Sequence, residues 1–363
     1  MSASGDLRMI GQMSLDSLIQ GYVDRGYFPS CVVSVFDREG TLYRKAFGTN
    51  DFPGGKRLAA DTDTAYDMAS CTKIATATGI LMLVSEGKLS LDDRLPDILS
   101  EIRNYPDLFS RTEHVTLRQL LTHTSGILDW YPFYVQKGRD FFEVFESFIG
   151  KTEVMKGMVY SDMNFMLLGK VLERIKEKDL RSCQRDLKAA LGARRMDYPE
   201  IGQVFSAADH IAPSCFGNAI EEHMVAERGL VFRDWRSKDR PTIGVNDGNA
   251  HYFFDDAAGH AGIIADADAY ERLGRLYLTS EDPVLKGSME DVGCGRGLGW
   301  QIDPLMYPDG CGHTGFSGTY IYVCRSKGIG AVALANRLAF RLAHGTNTNE
   351  FRRALAAAVY QQF

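Results

Sequence analysis

No stretch of this sequence approaches the roughly 18 consecutive apolar residues that a membrane-spanning helix needs. Even Ile74 to Val84 is interrupted by Thr76, Thr78 and Gly79. The seven cysteines (Cys31, Cys71, Cys183, Cys215, Cys294, Cys311 and Cys324) are odd in number, widely separated and nowhere spaced C-x-x-C. They suggest neither a disulfide framework nor a zinc site, and reduced thiols in a cytoplasm are the expectation. Met1 to Gln12 lacks the basic, apolar and small-residue succession of a secretory signal, which agrees with that expectation. There is no His-x-x-x-His pattern and no acidic run, so no metal is expected. Lysine and arginine are scattered and the formal net charge is -6, which argues against nucleic acid as a partner. The glycine cluster from Gly293 to Gly299 enters an expected strand instead of leaving one for a helix. It reads as a strand entry, not a nucleotide loop, and no cofactor is expected.

What is present is ordinary globular composition: 363 residues, 45% of them hydrophobic and 24% charged. Apolar spacing predicts a helix over Leu15 to Arg25, then a hairpin of Ser30 to Phe36 with Thr41 to Phe47. Residues 61 to about 280 carry helical periods, including Lys73 to Glu86, Thr116 to Leu121 and Asn164 to Lys176. Strand signals return at Gly299 to Ile302, Gly318 to Cys324 and Ile329 to Asn336, before a helical pattern from Glu350 to Gln361. Strands at both ends with helices between predict an α+β fold, with one antiparallel sheet assembled from both termini beside a mostly helical lobe. The sheet lobe is expected over about 1–60 and 285–363, the helical lobe over about 61–284, with a cleft between them.

Ser70-Cys71-Thr72-Lys73 opens one of the expected helices, and serine and lysine three positions apart share a helix face. An amine within reach can take the serine proton, and N–H groups at the helix start lie near a developing oxyanion. The tetrapeptide by itself arises by chance in many proteins. Its setting changes the odds: Tyr66 to Ser70 before it, an apolar helix after it, and Gly87-Lys88-Leu89-Ser90-Leu91-Asp92-Asp93 closing that helix.

With this setting, and with Leu120-Leu121-Thr122-His123-Thr124-Ser125-Gly126-Ile127, the chain resembles the serine β-lactamase and penicillin-binding-protein superfamily. Within it the resemblance is to the branch of class C β-lactamases, carboxylesterases and D-aminopeptidases, and it covers nearly the whole chain. It implies a β-lactamase/transpeptidase-like three-layer α/β/α lobe with a helical lobe, and an acyl-enzyme on Ser70.

The second family element, a tyrosine followed two residues later by asparagine, resembles Tyr160-Ser161-Asp162. The match implies that the Tyr160 phenol faces Ser70 and shares its proton with Lys73. Asp162 stands where asparagine is common. A carboxylate there favours the Lys73 ammonium and disfavours a phenolate, so Asn164 is considered as the alternative amide. The third element, usually lysine, threonine, glycine, resembles His313-Thr314-Gly315, and the family parallel pairs the N–H of Phe316 with that of Ser70 as an oxyanion hole. His313 would meet a substrate carboxylate with only a weak, pH-dependent charge, which lowers the expectation of efficient antibiotic hydrolysis. Gly315 is expected to let a ligand approach the backbone closely. His123 and His260 are expected to serve structure, and Trp130, Tyr131 and Tyr134, with a loop from Asn246 to Tyr252, to shape an aromatic pocket.

The expected activity is hydrolysis of a small acyl ester or amide by a cytoplasmic serine hydrolase, with that small molecule as partner. The alternatives are a D-alanyl-D-alanine carboxypeptidase or β-lactamase, an acyltransferase using the same acyl-enzyme, and a catalytically dead binding module. Oligomeric state is not legible from these residues.

Overall fold

The computed structural model describes residues 14–340 and 347–363. The chain opens with helix α1 (Leu15–Asp24), capped by the Ser14 hydroxyl on the Ser17 N–H. A hairpin follows, β1 (Ser30–Asp37) and β2 (Thr41–Asp51), then the short edge strand β3 (Arg57–Ala59). Strands β4 (Cys311–Thr314), β5 (Tyr320–Cys324) and β6 (Ile329–Ala335) come from the other end of the chain. Together they form one antiparallel sheet in the order β3-β2-β1-β6-β5-β4, in which Cys31 pairs with Ala335 and Asp37 with Ile329.

The two-residue period of a strand divides β1 between two cores. Cys31, Val33 and Val35 face a layer built from α1 and the C-terminal helix, Asn349–Gln362, with Leu18, Phe351 and Leu355 as partners. Val32 and Phe36 face the other way, into a larger core shared with the helical lobe. On that side the sheet is covered by α2 (Ala267–Thr279), whose Glu271 carboxylate accepts from Ser34 Oγ at 2.7 Å and pairs with Arg44. The ring of Phe36 fills the place a side chain would take at Gly274. This third layer falls inside the stretch 61–284 expected to belong to the helical lobe. Its apolar periodicity is that of any amphipathic helix and does not say which surface it covers.

One strand expectation fails. Gly299 to Ile302 forms no strand; Gln301 makes isolated bridges to Arg296 and to Gly312, the latter with N–H to carbonyl distances of 2.8 and 3.0 Å. Gly293, Gly295 and Gly299 all adopt positive φ, and the Asp291 carboxylate accepts from the N–H groups of Gly293, Cys294, Gly295 and Arg296. The segment is wound around one carboxylate, a geometry that a strand ladder does not allow.

Candidate active site

Ser70 lies in a short 3-10 turn, Ala69–Cys71, that runs directly into the helix Thr72–Ser85. That helix is buried on nearly every side, which explains why its sequence is apolar all round with no polar face. The turn is fastened from below. Asp67 accepts from the Ala69 N–H at 3.0 Å and from the Asn246 N–H at 2.8 Å. Burial pushes the Asp67 carboxyl up to about 6. Ser317 and Thr319 hydroxyls each donate at 2.8 Å to the carbonyls of Asp67 and Met68. Ala69 is held at φ 46°, a strained value for a residue with a side chain, and strain of this kind concentrates at functional turns.

Lys73 is wholly buried, and its Nζ donates to Ser70 Oγ at 3.0 Å and to the His260 carbonyl at 3.2 Å. Its third neighbour is Asp162 Oδ1 at 2.8 Å. Burial works against the charge on Lys73, but Asp162 and Tyr160 outweigh it and hold the ammonium above its ordinary range. Tyr160 stands just before the helix Asp162–Lys176, where the Ser161 N–H donates to His123 Nδ1 at 3.0 Å and Ser161 Oγ to the Leu128 carbonyl at 2.6 Å. Its ring packs on His123 at 4.6 Å between centroids, and Lys73 Nζ lies 4.9 Å from its centre. Burial raises the phenol above its usual range; Lys73 pulls it down and Asp162 pushes it up.

Ser70, Tyr160, Asp162, Thr314, Gly315 and Phe316 all line one cavity of about 540 Å³. Two expectations are corrected there. Asn164 does not replace Asp162 beside Lys73: it is buried, with Oδ1 accepting from Ser125 Oγ at 2.7 Å and Nδ2 beside His123. His313 does not reach the cavity as a cation. It is fully buried, opposite Ile321 in the ladder, and its Nδ1 makes a 2.8 Å hydrogen bond with the Thr314 carbonyl. Burial and the positive charges of Lys73 and Arg296 hold its ionisation well below the ordinary histidine range. Gly315 lines the cavity, and the fold itself also demands a glycine there: a Cβ would lie 1.9 Å from Thr319 Oγ1 and 2.7 Å from the Met68 carbonyl.

Of the three aromatic candidates, Trp130 lines the cavity. Tyr131 stacks on Phe148 at 3.9 Å, and Tyr134 donates to Glu221 at 2.9 Å. Asn246 and Asp247 line the cavity from their loop, and Asp247 Oδ1 lies 3.0 Å from His260 Nε2. Asp162, Asp247 and His260 thus bring donor atoms within 4.8 Å of one another, a grouping invisible in residues so far apart in sequence. The Lys73 ammonium already touches Asp162 and the His260 carbonyl, so a cation of the chain itself serves this cluster. Glu221, Arg296, Gln301, Arg337 and Arg352 also line the cavity and were not singled out from the sequence. They sit on helix turns and loops whose local pattern carries no catalytic signature.

Known proteins agree with this architecture. A Salmonella agona protein named "Putative D-alanyl-D-alanine carboxypeptidase" is 27% identical over 364 residues, covering 89% of this chain and 82% of its own length. The crystal structure of a class C beta lactamase from Rhodobacter sphaeroides superposes with TM-score 0.68 at 18% identity, over 95% of this chain and 98% of that one. EstCE1, described as a hydrolase with promiscuous acyltransferase activity, superposes with TM-score 0.67 at 18% identity, over 98% of this chain and 99% of its own. The Beta-lactamase family model matches residues 15–354, almost from the first helix to the last. With that span matched and the same fold in its structural neighbours, the chain belongs to the Beta-lactamase family of serine hydrolases.

Proposed function

We propose that this protein hydrolyses small acyl esters or amides through an acyl-enzyme on Ser70. The observation that carries the reading is the contact of 3.0 Å between Lys73 Nζ and Ser70 Oγ at the floor of a cavity that Tyr160 also lines. In the proposed cycle Ser70 Oγ bonds to the substrate carbonyl carbon and its proton passes to the Tyr160 oxygen. The N–H groups of Ser70 and Phe316 receive the oxyanion. Collapse of the intermediate breaks the bond to the leaving alcohol or amine, which takes the proton back from Tyr160. Water then repeats the sequence on the acyl-enzyme. Lys73, held charged by Asp162, orients Ser70 and keeps positive charge beside the phenol oxygen. We place the enzyme in the cytoplasm, a reading supported by seven unpaired cysteines, six of them buried.

A second reading, carboxypeptidase action on a peptide, is favoured by Arg296, Arg337 and Arg352 lining the cavity, since the terminal carboxylate carried by the leaving amino acid would find cations there. The test of both is intact mass after incubation with a fluorophosphonate, a p-nitrophenyl acyl ester and a penicillin, comparing wild type with Ser70→Ala. A Ser70-dependent adduct supports the hydrolase, and the reagent that acylates fastest separates ester from penicillin recognition. Folded wild type that forms no adduct overturns both and leaves a binding module.

A further inference from the structure

Arg296 is the charged side chain in the cavity that nothing in the fold accounts for. It lies in the loop wound about Asp291, half-buried at the cavity wall, and burial lowers its own pKa. Among the described residues it has no carboxylate partner and no hydrogen-bond acceptor, and its Nη1 is buried without one. A guanidinium with one N–H nitrogen shut away from both water and any acceptor is unfavourable and calls for a reason. The guanidinium lies over the Tyr160 ring, with Cζ 5.2 Å from the centroid, inside the range of a cation–π contact.

The charges around Tyr160 show what this contact supplies. Lys73, from the helix below, is cancelled in large part by Asp162 at 2.8 Å. His123, from the loop beneath, and His313, from the neighbouring strand, are both held neutral by burial. The position where the family usually carries lysine therefore brings no charge, and Arg296 is the cation facing the ring that no acid offsets. A phenolate concentrates negative charge on its ring and oxygen, so a guanidinium on the ring favours it more than it favours the phenol.

We propose that Arg296 is a positioning residue for proton transfer, its unpaired guanidinium over the Tyr160 ring supplying the positive charge that lets the phenol oxygen accept the Ser70 proton. The proposal rests on Tyr160 as the proton carrier in the acyl-enzyme reading above. It assigns to a loop arginine the electrostatic task that His313 cannot perform.

The experiment is the pH dependence, from 6 to 10, of kcat/KM for the uncharged ester p-nitrophenyl butyrate in wild type, Arg296→Gln and Arg296→Lys. Wild-type labelling at Ser70 is established first, and its absence would defeat the hydrolase reading before Arg296 is in question. With labelling present, Arg296→Gln is expected to move the rising limb upward by about one pH unit, a rate about tenfold lower at fixed pH below the plateau. Arg296→Lys, which keeps the charge, is expected to move it less. A limb that stays in place in Arg296→Gln overturns the proposal, and if KM for an anionic ester then rises, the arginine binds substrate instead. Equal losses in both variants with a lowered Tm and an unmoved limb also overturn it, in favour of a purely structural role.

Discussion

Asp162 Oδ1 lies 2.8 Å from Nζ of Lys73, a side chain with no exposure to solvent, so the lysine beside Ser70 is paired as an ammonium before any ligand arrives. Burial raises the Tyr160 phenol, and the same carboxylate adds to that rise against the pull of Lys73. Lys73 and Tyr160 are thus both kept in their acid forms at neutral pH. Activity is expected to climb with pH above neutrality as the phenol deprotonates.

Asp162→Asn should reverse this. Removing the carboxylate lowers the pKa of both Lys73 and Tyr160, so the rising limb of kcat/KM moves to lower pH. A shift of one unit makes the variant about tenfold faster at pH 7. Stopped-flow acylation by a p-nitrophenyl ester reads this directly. A slower variant with an unmoved limb would mean that Asp162 takes part in the proton path itself.

Gly315→Ala should be severe for a residue that only gains a methyl group. That methyl would lie 1.9 Å from Thr319 Oγ1 and 2.7 Å from the Met68 carbonyl, the two atoms joined by the hydrogen bond that fastens the Ser70 turn. Overpacking of this kind destabilises by about 1–3 kcal/mol. Because the clash is one residue from Ala69, labelling of Ser70 by fluorophosphonate should slow further than the Tm loss explains. Wild-type labelling at a lowered Tm would confine the effect to packing.

The sheet was legible because its signal is local: β1 and β6 are short, nearly continuous apolar runs rich in β-branched residues, buried on both faces, and the hairpin turn Asp37 to Gly40 announces itself. Ser70, Lys73 and Tyr160 were legible because they stand in short motifs, and the structure brings all three together. What could not be read was which groups meet from distant segments. Asp162, Asp247 and His260 converge across nearly a hundred residues, and Arg296 reaches Tyr160 only because Asp291 winds its loop. The role expected of His313 failed for a related reason: residue type suggested a titrating cation, but burial in the ladder decides its charge.

His313→Lys tests that point. The change restores the family's lysine, threonine, glycine sequence, yet places an ammonium at a site with 0% exposure near Lys73, Arg296 and Arg352. Two to three pKa units of depression correspond to about 3–4 kcal/mol of lost stability at neutral pH. Penicillin adduct formation by intact mass is expected not to improve. A stable variant with faster penicillin acylation would show that a lysine here turns into the cavity, where histidine does not.

Glu221 gives a prediction in stability instead of rate. Its carboxylate lines the cavity, accepts from the Gly248 N–H at 2.7 Å and the Tyr134 hydroxyl at 2.9 Å, and is pushed up to about 8 by burial and by Asp247. A carboxyl whose pKa is higher folded than unfolded binds its proton more tightly in the native state. The stability it contributes is therefore complete below the unfolded value of 4.5 and is lost as pH rises through about 8. Glutamine copies the protonated shape, keeps an oxygen for the Gly248 N–H and does not titrate. The Tm difference between Glu221→Gln and wild type should thus move in favour of the variant as pH is raised from 5 to 8.5. A difference that stays flat over that interval would mean that Glu221 is already ionised at pH 5, its charge compensated inside the cavity wall, and would remove it as a source of pH-dependent stability.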